Sequence, residues 1–263
     1  MNTEKTIRCQ AKKSLESNWV IIIASIMSVF AVVLFFECLV YSFSFMFDLI
    51  DPETGKLYNG VEFLYNIMFS ISIVAMISLS PAINGIYKMF YKIACGQRAE
   101  ISDLLYCFKA PTFYLRTVLL NIVTLIVFSV FYFGLDIYSY ACMYFDTNLY
   151  DGKGFDLTKL LLLVIWVLSA IIKICGYLIF VNFPLFAYAE DDTLSLTEYT
   201  FGMYGFAVKN FGKSLKLFFG FSGWFAFCFF VVPAFYVLPY IMTSFATSAK
   251  WLFALERDRR FVC

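Results

Sequence analysis

The chain has 263 residues, 62% hydrophobic and 21% aromatic, with only 15% charged and a net charge of +1. A soluble domain carries about a quarter charged residues, so polar side chains are too few here to clothe a water-facing surface, and the near-neutral total gives no sign of a nucleic-acid partner. Histidine is absent, which removes the commonest general base, metal ligand and near-neutral switch.

The first eighteen residues are polar and basic, with Lys5, Arg8, Lys12 and Lys13. The apolar run that follows is too long for a signal-peptide core, and no A-x-A site follows it. It reads as an uncleaved first span, about 19–40. Five more runs approach the ~20 apolar residues that a membrane helix needs: about 61–87, 115–137, 160–188, 215–232 and 233–255. The last two are joined by "VVPAFYVLP", where Pro233 and Pro239 would make a tight reversal or a kink. A single re-entrant hairpin is the alternative there. The expected fold is an all-α, six-helix transmembrane bundle forming one integral membrane domain over residues 1–263.

Lysine and arginine placement sets the orientation. With the N-terminus inside, sixteen of the twenty fall in inner segments: Lys5, Arg8, Lys12, Lys13, Lys88, Lys92, Arg98, Lys109, Arg116, Lys209, Lys213, Lys216, Lys250, Arg257, Arg259 and Arg260. Three fall outside: Lys56, Lys153 and Lys159. Both termini are therefore expected in the cytoplasm of a cell membrane. The outer loops, "DLIDPETGKLYNG" and "FDTNLYDGKGFD", are short and net acidic.

Three inner stretches are amphipathic. In "RAEISDLLYCFK", Ile101, Leu104, Leu105 and Phe108 share a helical face. In "SLTEYTFGMYGFAVKNF", Leu196, Tyr199, Met203 and Phe206 nearly do, and Ser195 and Glu198 have capping-box spacing. "TIRCQAKKSLESNW" is the weakest, with Ile7, Ala11 and Leu15. These read as short helices in the cytoplasmic interface. They either cover apolar surface at the bundle's inner end or offer a surface to a membrane-protein partner or lipid headgroups. Each precedes a span, and Pro81, Pro184 and Pro239 fall in the second span of each pair. The pattern also fits three copies of interfacial helix plus hairpin.

"SPAINGIYKMFYKIACGQRAEISDLLYCF", "FAYAEDDTLSLTEYTFGMYGFAVKNFGKSLKLFFGFSGW" with "VLPYIMTSFATSAKWLFAL", and the lead-in Arg8, Ala11, Leu15, Asn18, Trp19 carry a likeness. Through them the chain resembles bacterial domain-of-unknown-function family 975. That family is related to the membrane domain of some glycerophosphodiester phosphodiesterases. The resemblance implies a multi-pass bacterial membrane protein and supplies no reaction or catalytic residue. The chain departs from the family's Pro-Gly in the fourth span, having "KICGY" with Gly176. It also has Asp191, Asp192 and Thr193 where an asparagine and proline are usual.

Catalytic, cofactor and metal residues are not expected. "GFSGW" places Ser222 between Gly220 and Gly223, but it is not G-x-S-x-G and no histidine could activate it. Helix packing is the expected role of those glycines. Glu190, Asp191, Asp192 and Glu198 cluster as a solvated helix start or a cation site. The eight cysteines form no C-x-x-C pair and are expected to be reduced, buried hydrophobes.

The polar candidates are Lys173, mid-run in "VIWVLSAIIKICGYLIF", and Glu37. An ionisable group inside a span is a functional candidate by default. Lys173 could snorkel to an interface or wet cavity, pair with Glu37, or touch a ligand or lipid phosphate. Centred spans would separate Lys173 and Glu37 by ~15 Å in depth. The run from Leu160 to Tyr188 is ~43 Å long, so sliding it toward Tyr188 would bring them level. The leading functional expectation is a non-enzymatic accessory or scaffold of the cell envelope. The alternative is a small-molecule or lipid transporter.

Overall fold

Apolar runs of this length can satisfy their backbone polar groups internally only as helices when no water is present. The computed structural model describes residues 3–47, 49, 60, 62–134, 136, 139, 157–193, 195, 197–225 and 231–262. Among these it is all-helical, with no strand. The α-helices are α1 (Thr3–Leu15), α2 (Trp19–Met46), α3 (Glu62–Leu79), α4 (Pro81–Ala94), α5 (Ile101–Leu104), α6 (Pro111–Gly134), α7 (Leu157–Tyr177), α8 (Phe183–Glu190), α9 (Met203–Phe219), α10 (Ser222–Phe225) and α11 (Val231–Val262). Among the described residues, four continuous helical stretches are long and apolar enough to cross a membrane: Trp19–Met46, Phe63–Ala94, Pro111–Gly134 and Leu160–Glu190. Both expected outer loops lie outside the described residues, apart from Leu49 and Gly60.

The prolines are accommodated in three ways. Ser80 keeps helical angles (φ −54°, ψ −30°), so α3 continues into α4 with only a turn at the residue before Pro81. Pro184 sits in the first turn of α8, just after a π-helical turn at Leu178–Asn182. A proline there lacks a donor that the preceding wide turn would not use well. Pro239 lies inside α11 without interrupting it. The reversal expected at "VVPAFYVLP" is therefore not there. Pro233 falls in the first turn of α11, where its missing N–H costs nothing, and the stretch is one helix. Upstream, the expected span 215–232 is not one helix either: α9 ends at Phe219, α10 covers Ser222–Phe225, and residues 226–230 lie outside the described residues.

The chain divides into two compact units, residues 1–121 with 223–263, and residues 122–222. In the first, α4 is the hub, packing against α1, α2, α3, α5 and α11. Its sequence puts Tyr87, Met89, Phe90, Ile93 and Ala94 into the interior. Gly85 allows the closest approach: a β-carbon there would overlap the backbone of Leu104 in α5. α4 then stops at Gly96, whose φ of +77° suits glycine. The Gln97 and Gly96 amides return to the Lys92 and Ile93 carbonyls, both at 2.9 Å, completing a Schellman stop. The partner helix α11 buries Thr243, Ser244, Ala246, Thr247 and Ala249. Small residues let backbones approach, and the Thr243 and Thr247 hydroxyls donate to carbonyls one turn back, at 2.8 Å each.

The three amphipathic stretches differ. α1 buries Ala11 and Leu15 completely against protein and exposes Lys5, Lys12 and Lys13. It covers α4 and α11. The α5 segment splits its apolar face: Leu104 and Cys107 turn inward, while Ile101, Leu105 and Phe108 are exposed. In the third, Tyr199 is buried, Met203 and Phe206 are partly so, and Leu196 lies outside the described residues. The Ser195–Glu198 capping box is present, with the Ser195 amide donating to Glu198 Oε2 at 2.9 Å and the Glu198 amide to Ser195 Oγ at 3.3 Å.

The cysteines depart from expectation. Of those described, Cys107 is buried and Cys95 and Cys175 partly so, but Cys9 and Cys38 are exposed; all five are reduced thiols. A thiol on a span need not turn inward when lipid is an equally apolar alternative. Gly223 likewise has nothing within 4 Å of where a β-carbon would stand, so among the described residues it is not a packing glycine.

Asn18 joins α1 to α2. Its side-chain oxygen accepts the Ala99 amide at 3.1 Å, and its Nδ2 donates to the Ser14 carbonyl at 3.1 Å; Asn18 itself is 3% exposed. Asn18→Ala is expected to lower stability by about 2 kcal/mol, since the buried Ala99 amide is left without an acceptor. Denaturation of the detergent-solubilised chain followed by helical circular dichroism checks this.

Candidate functional site

Lys173 lies on α7, whose surroundings are leucine, valine and isoleucine. Its Nζ donates to Asp136 Oδ1 at 3.1 Å, and the two side chains are 22% and 21% exposed. Asp136 stands two residues beyond the end of α6. Its carboxylate is completed by Ser139 Oγ, donating to Oδ2 at 2.7 Å, and by Ser169 Oγ, donating to Oδ1 at 3.2 Å. The Lys173 ammonium also sits 4.2 Å from the centroid of the Tyr132 ring, a cation–π distance. A carboxylate, itself held by two hydroxyls, and an aromatic face thus replace part of the water that a lysine loses on an apolar helix.

The geometry accounts for the depth of this pair. Lys173 lies seventeen residues from Glu190, ~26 Å along the helix. Helical side chains lean toward the N-terminus, which carries the ammonium ~5 Å further. Asp136 lies twenty residues from Arg116, ~30 Å. Both distances match the ~30 Å thickness of a hydrocarbon core, so the pair falls at the edge opposite Arg116 and Glu190. From Leu157 to Glu190 the helix is ~51 Å long, which requires tilt or projection beyond one face.

Glu37 is exposed on α2 and belongs to the other unit. Lys173 has its ion-pair partner in Asp136, which sequence reasoning missed. The signal was there: Asp136 falls within the last residues of the expected span 115–137, with the lysine in the next antiparallel span.

Deeper in the second unit, Tyr199 and Thr124 hydroxyls lie 3.2 Å apart, and Tyr188 packs edge-on to Tyr199 at 5.9 Å. Burial pushes the Tyr199 phenol up from its ordinary value, so it remains neutral. Buried Asn182 Oδ1 and Ser214 Oγ have no partner among the described residues. At the acidic cluster, Asp191 Oδ1 accepts from the Thr193 amide at 2.9 Å and its hydroxyl at 2.6 Å. That is a turn leading into the capping box. No group of three or more acidic or cysteine side chains that could hold a metal occurs among the described residues.

At the basic end of the first unit a second charged joint appears. Lys92 pairs with buried Asp103, which also accepts the Glu100 amide at 2.9 Å. Glu100 and Asp103 form a capping box that starts α5. Lys250 donates to the Ala94 carbonyl at 3.3 Å, placing a cation at the negative end of α4. Two of the cations that the charge pattern assigns to a surface thus hold helices together.

No protein-family model, curated protein or solved structure matches the chain.

Proposed function

We propose that this chain is a non-enzymatic accessory or scaffold protein of a bacterial cell envelope, embedded in the cell membrane by its apolar helices with both termini in the cytoplasm. The likeness to domain-of-unknown-function family 975 belongs to the same reading. Its working surface is the basic end, where a membrane-protein partner would meet α1 and the α5 segment. The observation that carries the reading is the fate of Lys173. The Lys173 cation is held by the Asp136 carboxylate, which Ser169 also meets, and by the Tyr132 ring, so its charge is satisfied without a substrate. By contrast, α1 is fixed to protein by Ala11 and Leu15 and turns Lys5, Lys12 and Lys13 outward.

The test is affinity capture of the full chain after mild detergent extraction. A stoichiometric membrane-protein partner is expected, weakened when Lys12→Glu and Lys13→Glu are combined. Repeated absence of any such partner would count against the role. Reporter fusions at the carboxyl end and near Lys209 check the topology, and an exterior signal at either would overturn it.

The transporter alternative is favoured by one observation, the partnerless buried polar atoms of Asn182 and Ser214 among the described residues. Uptake into proteoliposomes that falls on Asn182→Leu, with helicity unchanged, would move the assignment to transport.

A further inference from the structure

The stretch Phe63–Ala94 is 32 residues long, ~48 Å of helix. A ~30 Å hydrocarbon core cannot contain it upright, so it must tilt, project or bend. Its two halves are held very differently. Nine of the fourteen residues of α4 are buried, whereas none from Phe63 to Leu79 in α3 is. α3 packs on α2, and even there two apolar slots, of about 430 Å³ between α2, α3 and α4 and about 320 Å³ between α2 and α3, stay open beside it. α3 is therefore an arm of ~27 Å carried by a fixed α4.

The joint between arm and base lacks a backbone donor. Pro81 has no N–H to give to the Ile77 carbonyl. The Ser80 amide donates there instead at 3.1 Å, and the Ile83 amide donates to the Ser80 carbonyl at 2.9 Å, both bonds of a tighter turn. Two side chains of α6, seven residues apart and so on one face, reach across this joint. The Tyr114 hydroxyl donates to the Ser78 carbonyl at 2.9 Å. Asn121 Nδ2 donates to Ser80 Oγ at 3.1 Å and to Asn84 Oδ1 at 2.8 Å. They grip the stretch on both sides of Pro81. The grip is incomplete: Asn84 is 1% exposed, and its Nδ2 has no partner among the described residues. A buried network already one bond short loses less when it rearranges than a fully satisfied one.

We infer that Ser80–Pro81 is a hinge on which α3 swings against α4, its angle set by bilayer thickness and restrained by the Tyr114–Asn121 clasp. Bending at a proline breaks no further backbone bond, and neighbouring side chains serve the groups left over. The swing disturbs little else, because α3 buries no described residue and lipid tails fill the two slots at any width. The device involves no protein partner and requires only that the stretch cross a bilayer.

Double electron–electron resonance on the full chain in nanodiscs tests it, with dimyristoyl- and dioleoyl-phosphatidylcholine as the thin and thick bilayers. Exposed Cys9 and Cys38 rule out thiol labels, so genetically encoded spin-label residues replace exposed Phe69 on α3 and exposed Ile101 on α5. Because α5 packs on α4, tilting of the whole stretch leaves this distance unchanged and only bending alters it. Phe69 stands eleven residues from Ser80, ~17 Å, so a bend of about 20° moves it ~6 Å. The mean distance should differ by about that much between the two bilayers. Pro81→Ala restores the donor and should abolish the difference. Tyr114→Phe combined with Asn121→Leu should widen the distance distribution in both bilayers. Tyr114→Phe alone, which removes one hydroxyl, serves if the pair fails to give a helical, monodisperse sample. An identical distance in the two bilayers, a difference that survives Pro81→Ala, or a distribution untouched by loss of the clasp overturns the proposal.

Discussion

Asp136→Ala is expected to destabilise the solubilised chain by about 3 kcal/mol, at the lower end of what breaking a buried ion pair costs, because both partners keep about a fifth of their surface. The substitution leaves the Lys173 ammonium among α7 leucines and valines with only the Tyr132 face beside it. An ionised group in that setting costs a few kcal/mol even on insertion scales. Adding Lys173→Met removes the stranded charge and should restore most of the loss. Lys173→Met alone should cost about 1 kcal/mol, the net worth of a hydrogen bond, because Asp136 keeps the Ser139 and Ser169 donors. Glu37→Gln should change nothing in any of these backgrounds. Unfolding in detergent, followed by circular dichroism, reads all four. A neutral Asp136→Ala would mean that Lys173 reaches water unaided, and rescue by Glu37→Gln would restore the partner that the sequence suggested.

Gly85→Ala should cost about 3 kcal/mol, the upper part of the range for overpacking a filled interior. A methyl group at this position meets the carbonyl and α-carbon of Leu104. Backbone cannot rotate out of the way as a side chain would, so α4 and α5 must separate. Separation also loosens the Lys92–Asp103 pair, whose partners sit on those two elements. Gly176→Ala is the internal comparison: its β-carbon would meet only the Phe131 ring, which can swing aside, and the loss should be smaller. Equal losses at the two glycines would show that the α4–α5 approach is softer than its geometry implies.

How much of this could be read beforehand depended on whether the cause was local. The capping box at Ser195 and Glu198 needs only four residues, and it formed. The first four apolar runs became helices because a run of ~20 apolar residues has no other way to satisfy its backbone in lipid. The last two did not follow their assigned bounds. "VVPAFYVLP" carries two prolines, yet neither breaks α11, since one lies in the first turn and the other is tolerated inside the helix. Proline marks a helix that lacks one bond; whether the chain turns there depends on the neighbours that can supply the missing contact.

Composition and spacing alone determined that the chain is helical and apolar enough for a membrane, and where its helix-start signals lie. These are properties of single segments in contact with their solvent, and a segment carries them in its own residues. Tertiary structure alone decided that Lys173 answers to Asp136, that Lys92 and Lys250 are joints and not surface, that α1 packs on protein, and that a slot remains open between α2, α3 and α4. Each of those needs the depth and facing of two helices at once, and hydropathy, which records how much a segment avoids water, carries no information about which neighbour it meets.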